Sequence, residues 1–160
     1  MAHIIITSGD KYIDIDAYAS CLAYRELLTA KGQTAFAVSS APLNESVPEL
    51  IKRLQPSFDT YAPSKNDKFI VLDTSDPNSF DRIVNHENII EIIDHHTGYE
   101  KFWQEQKNVK SQIEPIGSVA TIIYEMFVVE KLENKLSVEL CKLLVCAIVD
   151  NELESHHYKR

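Results

Sequence analysis

The side chains with the clearest chemical potential stand together at Asp94, His95 and His96, directly after the largely apolar run 89–93. Such a run predicts a buried strand, and its carboxyl end would present one carboxylate and two imidazoles. In an open α/β sheet, ligands bind in the crevice at the carboxyl ends of the strands. Imidazole and carboxylate together suit divalent transition metals. The triplet therefore predicts a metal site, although paired histidines also occur in solvated loops.

More carboxylates follow the first predicted strand, in the segment that leads into a predicted helix. They are Asp10, Asp14 and Asp16. Three carboxylates this close in sequence repel one another unless they are solvated or bridged by a cation. The alternative for each aspartate alone is an ordinary helix cap or dipole partner. Taken together, the three favour a metal site.

Two further aspartates have candidate positions. Asp73 comes directly after the predicted strand Lys68–Leu72, with Asp76 three residues later, and the alternative there is a turn built from Asp, Ser, Pro and Asn. Asp150 follows the apolar stretch 143–149. Taken in isolation, Asp150 is better explained as an exposed residue at a helix end.

The order of predicted elements indicates the fold class. Strands are predicted at 3–7, 33–39, 68–72 and 88–93, with a weak edge strand at 112–114, and helices at 14–31, 46–54, 79–85, 118–131 and 137–149. Alternating strands and helices are typical of a parallel sheet flanked by helices. We therefore predict a single α/β domain with an open, mostly parallel sheet.

Composition limits the classes of function. The chain has 160 residues, is 44% hydrophobic and carries a formal charge of -8, with 16 dispersed basic residues. One domain with a proper core fits this length. Binding to a nucleic acid through phosphate neutralisation needs clustered Lys and Arg, so nucleic acids beyond short oligonucleotides are not expected as partners. An anionic substrate would need metal ions as mediators.

Three cysteines, Cys21, Cys141 and Cys146, lie in apolar, helix-like segments without paired spacing. We interpret them as reduced thiols in the core of a cytoplasmic protein, and we do not expect them to form a zinc site. No stretch has the length of a membrane span, and residues 1–7 do not resemble a signal peptide, so no membrane association is expected.

Five motifs occur in a characteristic order. They are Asp-x-Asp at 14–16, Val-Leu-Asp at 71–73, Ile-Asp-His-His at 93–96, Gly-Ser-x-Ala-Thr at 117–121 and Ala-Ile-x-Asp at 147–150. In this order, residues 3–150 resemble the catalytic domain of the DHH phosphoesterase superfamily. The superfamily includes RecJ-type nucleases, nanoRNA-degrading phosphodiesterases, Prune-type exopolyphosphatases and manganese-dependent (family II) inorganic pyrophosphatases. The stretch 13–20 and Thr74-Ser75-Asp76 look closest to the pyrophosphatase-like and exopolyphosphatase-like branch.

The resemblance implies a two-metal centre. Asp14 would bind one ion, Asp16 a second, and Asp73 would bridge the two. His95 and Asp150 would complete the ligands of the second ion. Such a centre activates a water molecule and neutralises phosphate oxygens during in-line displacement.

The resemblance also implies roles for residues beside the metals. His96 would stand next to the reacting phosphate as a catalytic acid or as an orienting cation. Gly117 and Ser118 could contact phosphate through backbone N–H groups at a helix start, although Ser118 is equally well explained as an N-cap. A set of carboxylates and imidazole without thiolate suits Mn²⁺, with Mg²⁺ or Co²⁺ as substitutes.

The sequence departs from the family pattern in two places. Asp10 stands where a histidine usually precedes the first aspartate by four residues, and it could replace that ligand or leave the first site half-built. Family enzymes also carry a following domain whose basic residues clamp the substrate, and we interpret 151–160 as a polar tail, with that second domain absent. His156 and His157 are not expected to be specific ligands, and His3 and His86 are expected to be structural or solvent-facing.

The sequence thus predicts a metal-dependent hydrolase domain for phosphoanhydride or phosphodiester bonds in a phosphate-containing small molecule. Activity of the chain alone should be weak, because a missing substrate-holding lobe costs much of the positioning energy. A non-catalytic module that binds metal or a phosphorylated ligand is the alternative, and a purely structural relic is a third. Apolar helix faces such as 122–129 could pair between copies as a homodimer or simply cover the sheet.

Overall fold

A single parallel sheet of five strands forms the centre of the molecule. It is seen in a computed structural model that describes residues 2–45, 47–53 and 57–157, without the side chains of 154–157. The strands are β1 (Ile4–Thr7), β2 (Ala35–Ala37), β3 (Lys68–Leu72), β4 (Ile89–Asp94) and β5 (Lys110–Ile113). Their spatial order is β2-β1-β3-β4-β5, and every neighbouring pair is parallel. The predicted open parallel α/β sheet, with its edge strand near 112, is therefore confirmed.

Helices connect the strands and cover the sheet. They are α1 (Ile15–Ala30), α2 (Glu49–Lys52), α3 (Glu100–Gln104), α4 (Val119–Val129) and α5 (Val138–His157). Short 3-10 turns lie at Pro77–Ser79, His86–Asn88 and Glu133–Lys135. The predicted helix 46–54 is confirmed only in its centre, and its ends Ser46 and Leu54 lie outside the described residues.

The alternation of side chains along the strands divides the core into two layers. Ile70 and Leu72 of β3 pack under α1, α4 and α5, together with Ile93 of β4. Phe69 and Val71 face the opposite side of the sheet, where a smaller cluster includes Trp103 of α3. Positions 69–72 of β3 are buried on both faces of the sheet, which is why they form a continuous hydrophobic run after the exposed Lys68.

The connection from β1 into α1 brings the acidic segment close to the sheet. Asp14 is the N-cap of α1, and its Oδ1 accepts a hydrogen bond from the Ala17 N–H at 2.9 Å. Gly32, with φ of 77°, lies just after the helix and allows the turn toward β2. The first residues of α1 are therefore fixed at the carboxyl end of β1.

The strand order creates a crevice between β1 and β3. The chain leaves β1 for β2 on one side and later returns to β3 on the other. Where connections diverge in this way, loops at the carboxyl ends of adjacent strands open away from each other and leave room for a ligand. Asp14 lies in the connection from β1 to α1, on one side of this crevice, and Asp73 directly follows β3 on the other side.

Three predicted elements differ from the structure. The predicted helix 79–85 is wrong. This segment lies largely between two 3-10 turns, and its Phe80 side chain packs into the smaller core cluster. Helix α3 was not predicted, and its five residues are too short for a clear period. Helix α5 was expected to end near Val149 but continues to His157, since no Gly or Pro interrupts it.

The expectation of three core thiols is correct for Cys21 and wrong for the other two. Cys21 is fully buried, whereas Cys141 and Cys146 are exposed on the outer face of α5. The inner face of the same helix is formed by Leu140, Leu143 and other residues of the main cluster. Segment 138–149 is apolar on both faces, and apolar neighbours in the sequence therefore did not indicate burial.

The remaining two histidines outside the tail behave as expected. His3 Nδ1 lies 2.8 Å from the Tyr61 hydroxyl, and His86 is exposed beside the ring of Phe80. His156 and His157 belong to α5, but their side chains lie outside the described part. In the described residues, no helix is both long and apolar enough to cross a membrane.

Candidate metal centre

Asp73 is held in an unusual conformation at the end of β3. Its φ is 62°, a left-handed value that Asp tolerates better than most residues, and its backbone N–H donates to the Ile93 carbonyl at 2.9 Å. Its side chain is buried, and Oδ1 accepts no well-formed hydrogen bond. Burial is the main reason why the pKa of Asp73 is raised well above its ordinary value. A buried carboxylate oxygen of this kind is suited to receive a cation.

His95 approaches Asp73 from β4. Its Nε2 lies 3.3 Å from Asp73 Oδ1 and 3.7 Å from Asp16 Oδ2. Its Nδ1 lies 3.1 Å from the Ile116 carbonyl, and Nδ1 must carry a proton to donate there. In the neutral ring this leaves the lone pair on Nε2, the nitrogen that faces the carboxylates. This orienting bond is typical of histidines that ligate metal through the other nitrogen.

The pKa of His95 results from two opposing effects. Burial lowers it, but the contact with Asp73 and the negative charge of Asp16 outweigh burial and raise the pKa of His95 to about 9. Without a metal, a proton on Nε2 therefore occupies the position between the carboxylates.

Asp16 has a second role beside its approach to His95. It is almost fully buried in the first turn of α1, and its carboxylate accepts the N–H groups of Val119 at 2.9 Å and Ala120 at 2.8 Å, together with the Ser20 hydroxyl at 3.2 Å. Burial raises the pKa of Asp16, partly offset by the hydrogen bonds from Ala120 and Val119. The same carboxylate thus fixes the start of α4 and lies beside the site.

Asp94 organises the two histidines that follow it. Its Oδ1 accepts the backbone N–H groups of His95 at 2.8 Å and His96 at 3.1 Å, and it lies 2.9 Å from His96 Nδ1. Burial alone would raise the pKa of Asp94, but the bonds from His96 and Ser75 lower it below its ordinary value. In return, the hydrogen bond to Asp94 raises the pKa of His96.

In the described part of the chain, one group of three residues has the geometry of a metal site. Asp73, His95 and His96 each offer a ligand atom, and these atoms lie within 4.8 Å of one another. Asp16 Oδ2 adds a carboxylate near His95 Nε2. The buried Asp73 Oδ1 without a hydrogen bond fits a cation, and carboxylate with imidazole is the donor set of Mn²⁺ and similar ions.

Comparison with protein-family models matches residues 3–148 to the DHH family, N-terminal domain. The chain belongs to the DHH family. Its relatives include a probable manganese-dependent inorganic pyrophosphatase from Bacillus pumilus, 26% identical over 148 residues, which are 91% of this chain and 47% of that protein. A protein of the same description from Bacillus cereus is 25% identical over 154 residues, 93% of this chain and 48% of that protein. The chain spans about half the length of the curated relatives that it matches.

Two crystal structures share the fold. An exopolyphosphatase-related protein from Bacteroides fragilis superposes with a TM-score of 0.72 at 17% identity, over 93% of this chain and 46% of that one. A putative family II inorganic pyrophosphatase from Methanococcus jannaschii gives a TM-score of 0.63 at 22% identity, over 96% of this chain and 49% of that one. The α/β architecture of the DHH domain is therefore shared at low sequence identity.

Three further residues that the family resemblance offers as ligands do not belong to the central group of Asp73, His95 and His96. Asp14 is partly buried beside Asp16 and Asp73, and one of its oxygens is engaged in capping α1. Asp10 is exposed, and its backbone N–H donates to the Ser79 carbonyl. Asp150 is exposed within α5, where it lines an apolar groove. Their roles as metal ligands stay predictions.

The start of α4 is already satisfied by protein groups. Ser118 is buried and caps the helix, with its Oγ 3.2 Å from the Thr121 N–H, while Asp16 accepts the N–H groups of Val119 and Ala120. This arrangement agrees with the N-cap explanation of Ser118. Phosphate binding by Gly117 and Ser118 would have to use other donors, and it stays a prediction.

Sequence reasoning missed two supporting groups. The carboxylate of Asp94 was seen as part of the triplet, but its bonds to both histidines were not predicted. The other group is the backbone carbonyl of Ile116, which orients His95. The side chain of Ile116 does not indicate this contact, although the residue lies one position before the Gly-Ser motif and so beside the start of α4. Orienting contacts through backbone atoms can be found only once the fold is known.

Proposed function

We propose that this chain is the metal-holding catalytic domain of a hydrolase that acts on phosphoanhydride or phosphodiester bonds, with Mn²⁺ as the preferred ion. The observation that carries the proposal is the convergence of Asp73 Oδ1, His95 Nε2 and Asp16 Oδ2 at the crevice between β1 and β3. Pyrophosphate is the first substrate to test, because the Bacillus relatives are described as probable manganese-dependent inorganic pyrophosphatases.

Each residue contributes a distinct part of the chemistry. Asp73, His95 and Asp16 would hold the metal, with Asp14 as a further carboxylate for a second ion. Bound divalent ions would supply an activated water molecule and neutralise phosphate oxygens. The acidic net charge of -8 makes such neutralisation necessary for any phosphate substrate.

His96 would act on the substrate itself. Its Nδ1 is held by Asp94, so the ring orientation is fixed and Nε2 is available, while the side chain is 62% exposed. The hydrogen bond to Asp94 raises the pKa of His96 above its ordinary value and so favours the protonated ring more than in a free imidazole. A cationic imidazole beside a phosphate can orient it and can donate a proton to the leaving oxygen.

The exposed positions of Asp10 and Asp150 favour a second candidate function. If only the central group binds metal, the chain would be a binding module for one ion and a phosphorylated ligand, without efficient turnover. The curated relatives are about twice as long as the matched region, which also supports weak turnover by these 160 residues alone.

Calorimetric titration with Mn²⁺, followed by phosphate release from pyrophosphate, tests both candidates. We expect Asp73→Asn and His95→Ala to abolish the tightest metal binding. Glu87→Gln changes an exposed residue before β4, at the opposite end of that strand from His95, and should bind like the unmodified chain. Turnover that requires His96 supports the hydrolase, and metal binding without turnover supports the module. Unchanged Mn²⁺ affinity in the Asp73 and His95 variants would contradict both.

A further inference from the structure

A pocket opens beside the central group, between the loops that follow β3 and β4. Its volume is about 270 Å³, enough for one small chemical group rather than a whole drug-sized ligand. Asp73 and His96 of the central group form part of its wall. The other wall residues are Thr74, Ser75, Asp76, Asp94, Thr97 and Tyr99. A molecule held at the central group can therefore extend along His96 into this pocket.

Two buried carboxylate oxygens belong to residues on this wall and accept no well-formed hydrogen bond within the described ranges. Asp73 Oδ1 is one of them, and it faces the imidazole of His95. Asp94 Oδ2 is the other, on a fully buried side chain whose Oδ1 is already engaged by His95 and His96. Because a buried acceptor without a donor is costly, a ligand that brings hydrogen-bond donors into the pocket is favoured.

The charge of the pocket disfavours an anion. Neither Lys nor Arg is found among its described wall residues. Two of its three carboxylates face the histidines that follow β4, whereas Asp76 has no ion-pair partner in the part of the chain that the structure describes. Hydrogen bonds from Asn78 hold the pKa of Asp76 below its ordinary value, so this carboxylate stays ionised. A second phosphate group in the pocket would be repelled by this charge, whereas an uncharged group would not.

The rest of the wall offers neutral hydroxyl groups. Thr74 and Thr97 each contribute one, and Tyr99 contributes another together with the apolar surface of its half-buried ring. The Tyr99 hydroxyl also interacts with Asp76. Since a hydroxyl group both donates and accepts hydrogen bonds, this wall matches a ligand that itself carries several hydroxyl groups.

We propose that this pocket binds the uncharged, hydroxyl-bearing part of the substrate, such as a sugar, while the phosphate of the substrate lies at the central group. The inference rests on the proposed function and narrows it to phosphate esters rather than phosphoanhydrides such as pyrophosphate. Tyr99 and Asp76 are the residues that determine this specificity. Tyr99 contacts the hydroxyl groups, and Asp76 excludes a second phosphate from the same place.

Calorimetric titration of the full chain with Mn²⁺ bound compares two probes with the same phosphate, ribose 5-phosphate and methyl phosphate. We expect ribose 5-phosphate to bind at least about fivefold more tightly, the gain expected from one hydrogen bond. Tyr99→Phe should remove most of this advantage and leave the binding of methyl phosphate unchanged. Tyr124→Phe is the matched control, because Tyr124 is an exposed tyrosine of α4 outside the pocket, and it should bind both probes like the unmodified chain.

Asp76→Asn tests the exclusion of a second phosphate. This variant removes the charge but keeps a side-chain oxygen that can cap the turn at Pro77–Ser79. We expect it to bind pyrophosphate at least about threefold more tightly than the unmodified chain, with little change for ribose 5-phosphate. Pyrophosphate chelates Mn²⁺ in solution equally for both proteins, so the ratio of their affinities reports the pocket alone. Glu87→Gln removes one negative charge before β4 and is the control, with both affinities unchanged.

The one tryptophan of the chain gives a second measurement, which does not depend on turnover. Trp103 Nε1 donates to the Ser75 carbonyl at 2.7 Å, and Ser75 is part of the pocket wall. Ribose 5-phosphate should therefore change the fluorescence of Trp103, whereas methyl phosphate, which does not reach into the pocket, should leave it nearly unchanged.

Failure of this inference can be distinguished from failure of the proposed function. If neither ester binds to the chain in the presence of Mn²⁺, the proposed function is contradicted and this subsite falls with it. If methyl phosphate binds but ribose 5-phosphate binds no more tightly, or if Tyr99→Phe weakens both equally, the metal centre stands and the subsite is overturned. Unchanged pyrophosphate affinity in Asp76→Asn would overturn the role of Asp76.

Discussion

His95 Nε2 lies 3.3 Å from Asp73 Oδ1, although the two residues follow different strands and are 22 positions apart in the sequence. The pairing of β3 with β4 brings them together, since Leu72 is in register with Ile93. In the metal-free chain, a proton on the imidazole compensates the buried carboxylate. Metal and proton therefore compete for the same position.

This competition predicts a pH-dependent affinity for Mn²⁺. The pKa of His95 is raised to about 9, so the ring is protonated below that pH and must lose its proton to become a ligand. We expect the affinity to rise by about tenfold per pH unit between about pH 7 and 9 for each proton displaced, and to level off above that range. Titration in buffers of different ionisation enthalpy measures the proton release directly.

His86→Ala is the control for this experiment, because His86 is exposed beside Phe80 and outside the metal group. It should leave both the affinity and its pH dependence unchanged. Mn²⁺ affinity that is flat from pH 7 to 9, with no proton released, would show that His95 is not the titrating ligand.

Asp94→Asn should lower the pKa of His96. The hydrogen bond from His96 Nδ1 to Asp94 Oδ1, at 2.9 Å, is the largest influence that raises this pKa, and a neutral amide favours the imidazolium less than a carboxylate does. The imidazole resonances of His96, followed by NMR across pH in the metal-free chain, measure the change. Glu87→Gln, at an exposed position before β4, leaves this bond intact and is the control, and an equal pKa of His96 in both variants would contradict the role assigned to Asp94.

The sheet and the approximate place of the site could be predicted because they depend on local patterns. Buried strands appear as apolar runs, and Asp73 and His95 directly follow two of them. In a parallel sheet, residues that follow neighbouring strands meet at one edge. The convergence of these two side chains was therefore readable from the sequence, whereas their separation of 3.3 Å was not.

What could not be predicted depends on tertiary contacts or on short elements. The two hydrogen bonds that Asp16 accepts from the N–H groups at the start of α4 join residues more than 100 positions apart, and neither segment of the sequence predicts them. The exposure of Cys146 depends on which face of α5 meets the core, and both faces are apolar. The length of α5 was underestimated because Asp150 was taken as a boundary, although Asp is tolerated inside a helix at modest cost.

Asp16 and Asp14 should differ in their contributions to stability. Asp16→Ala leaves the buried N–H groups of Val119 and Ala120 without acceptors, and each unsatisfied group costs about 1–3 kcal/mol, partly offset because a buried carboxylate is removed. Asp14→Ala removes one helix cap, which costs about 1 kcal/mol. We expect Asp16→Ala to lower the free energy of unfolding by about 2–4 kcal/mol.

Urea unfolding in the presence of a chelator measures this difference without any contribution from bound metal. Asp16→Asn is the informative companion, because its amide oxygen can still accept one of the two N–H groups and should recover part of the loss. If Asp16→Ala is no less stable than Asp14→Ala, the carboxylate does not fix the start of α4.

Asp67 should make the fold sensitive to acid at a place remote from the metal group. It is fully buried, and although burial alone raises its pKa, hydrogen bonds from the N–H groups of His3 and Ser64 and from the Tyr61 hydroxyl lower it to about 2. Because this folded-state pKa lies below the ordinary value of 3.8, the contribution of Asp67 is complete above about pH 4 and is lost as the pH falls toward 2. Asp67→Asn should therefore be less stable than the unmodified chain at pH 6 in urea unfolding, and the gap should narrow steadily below pH 4. A stability gap for Asp67→Asn that is constant down to about pH 3 would mean that the lost hydrogen bonds, not the ionised carboxylate, set its size.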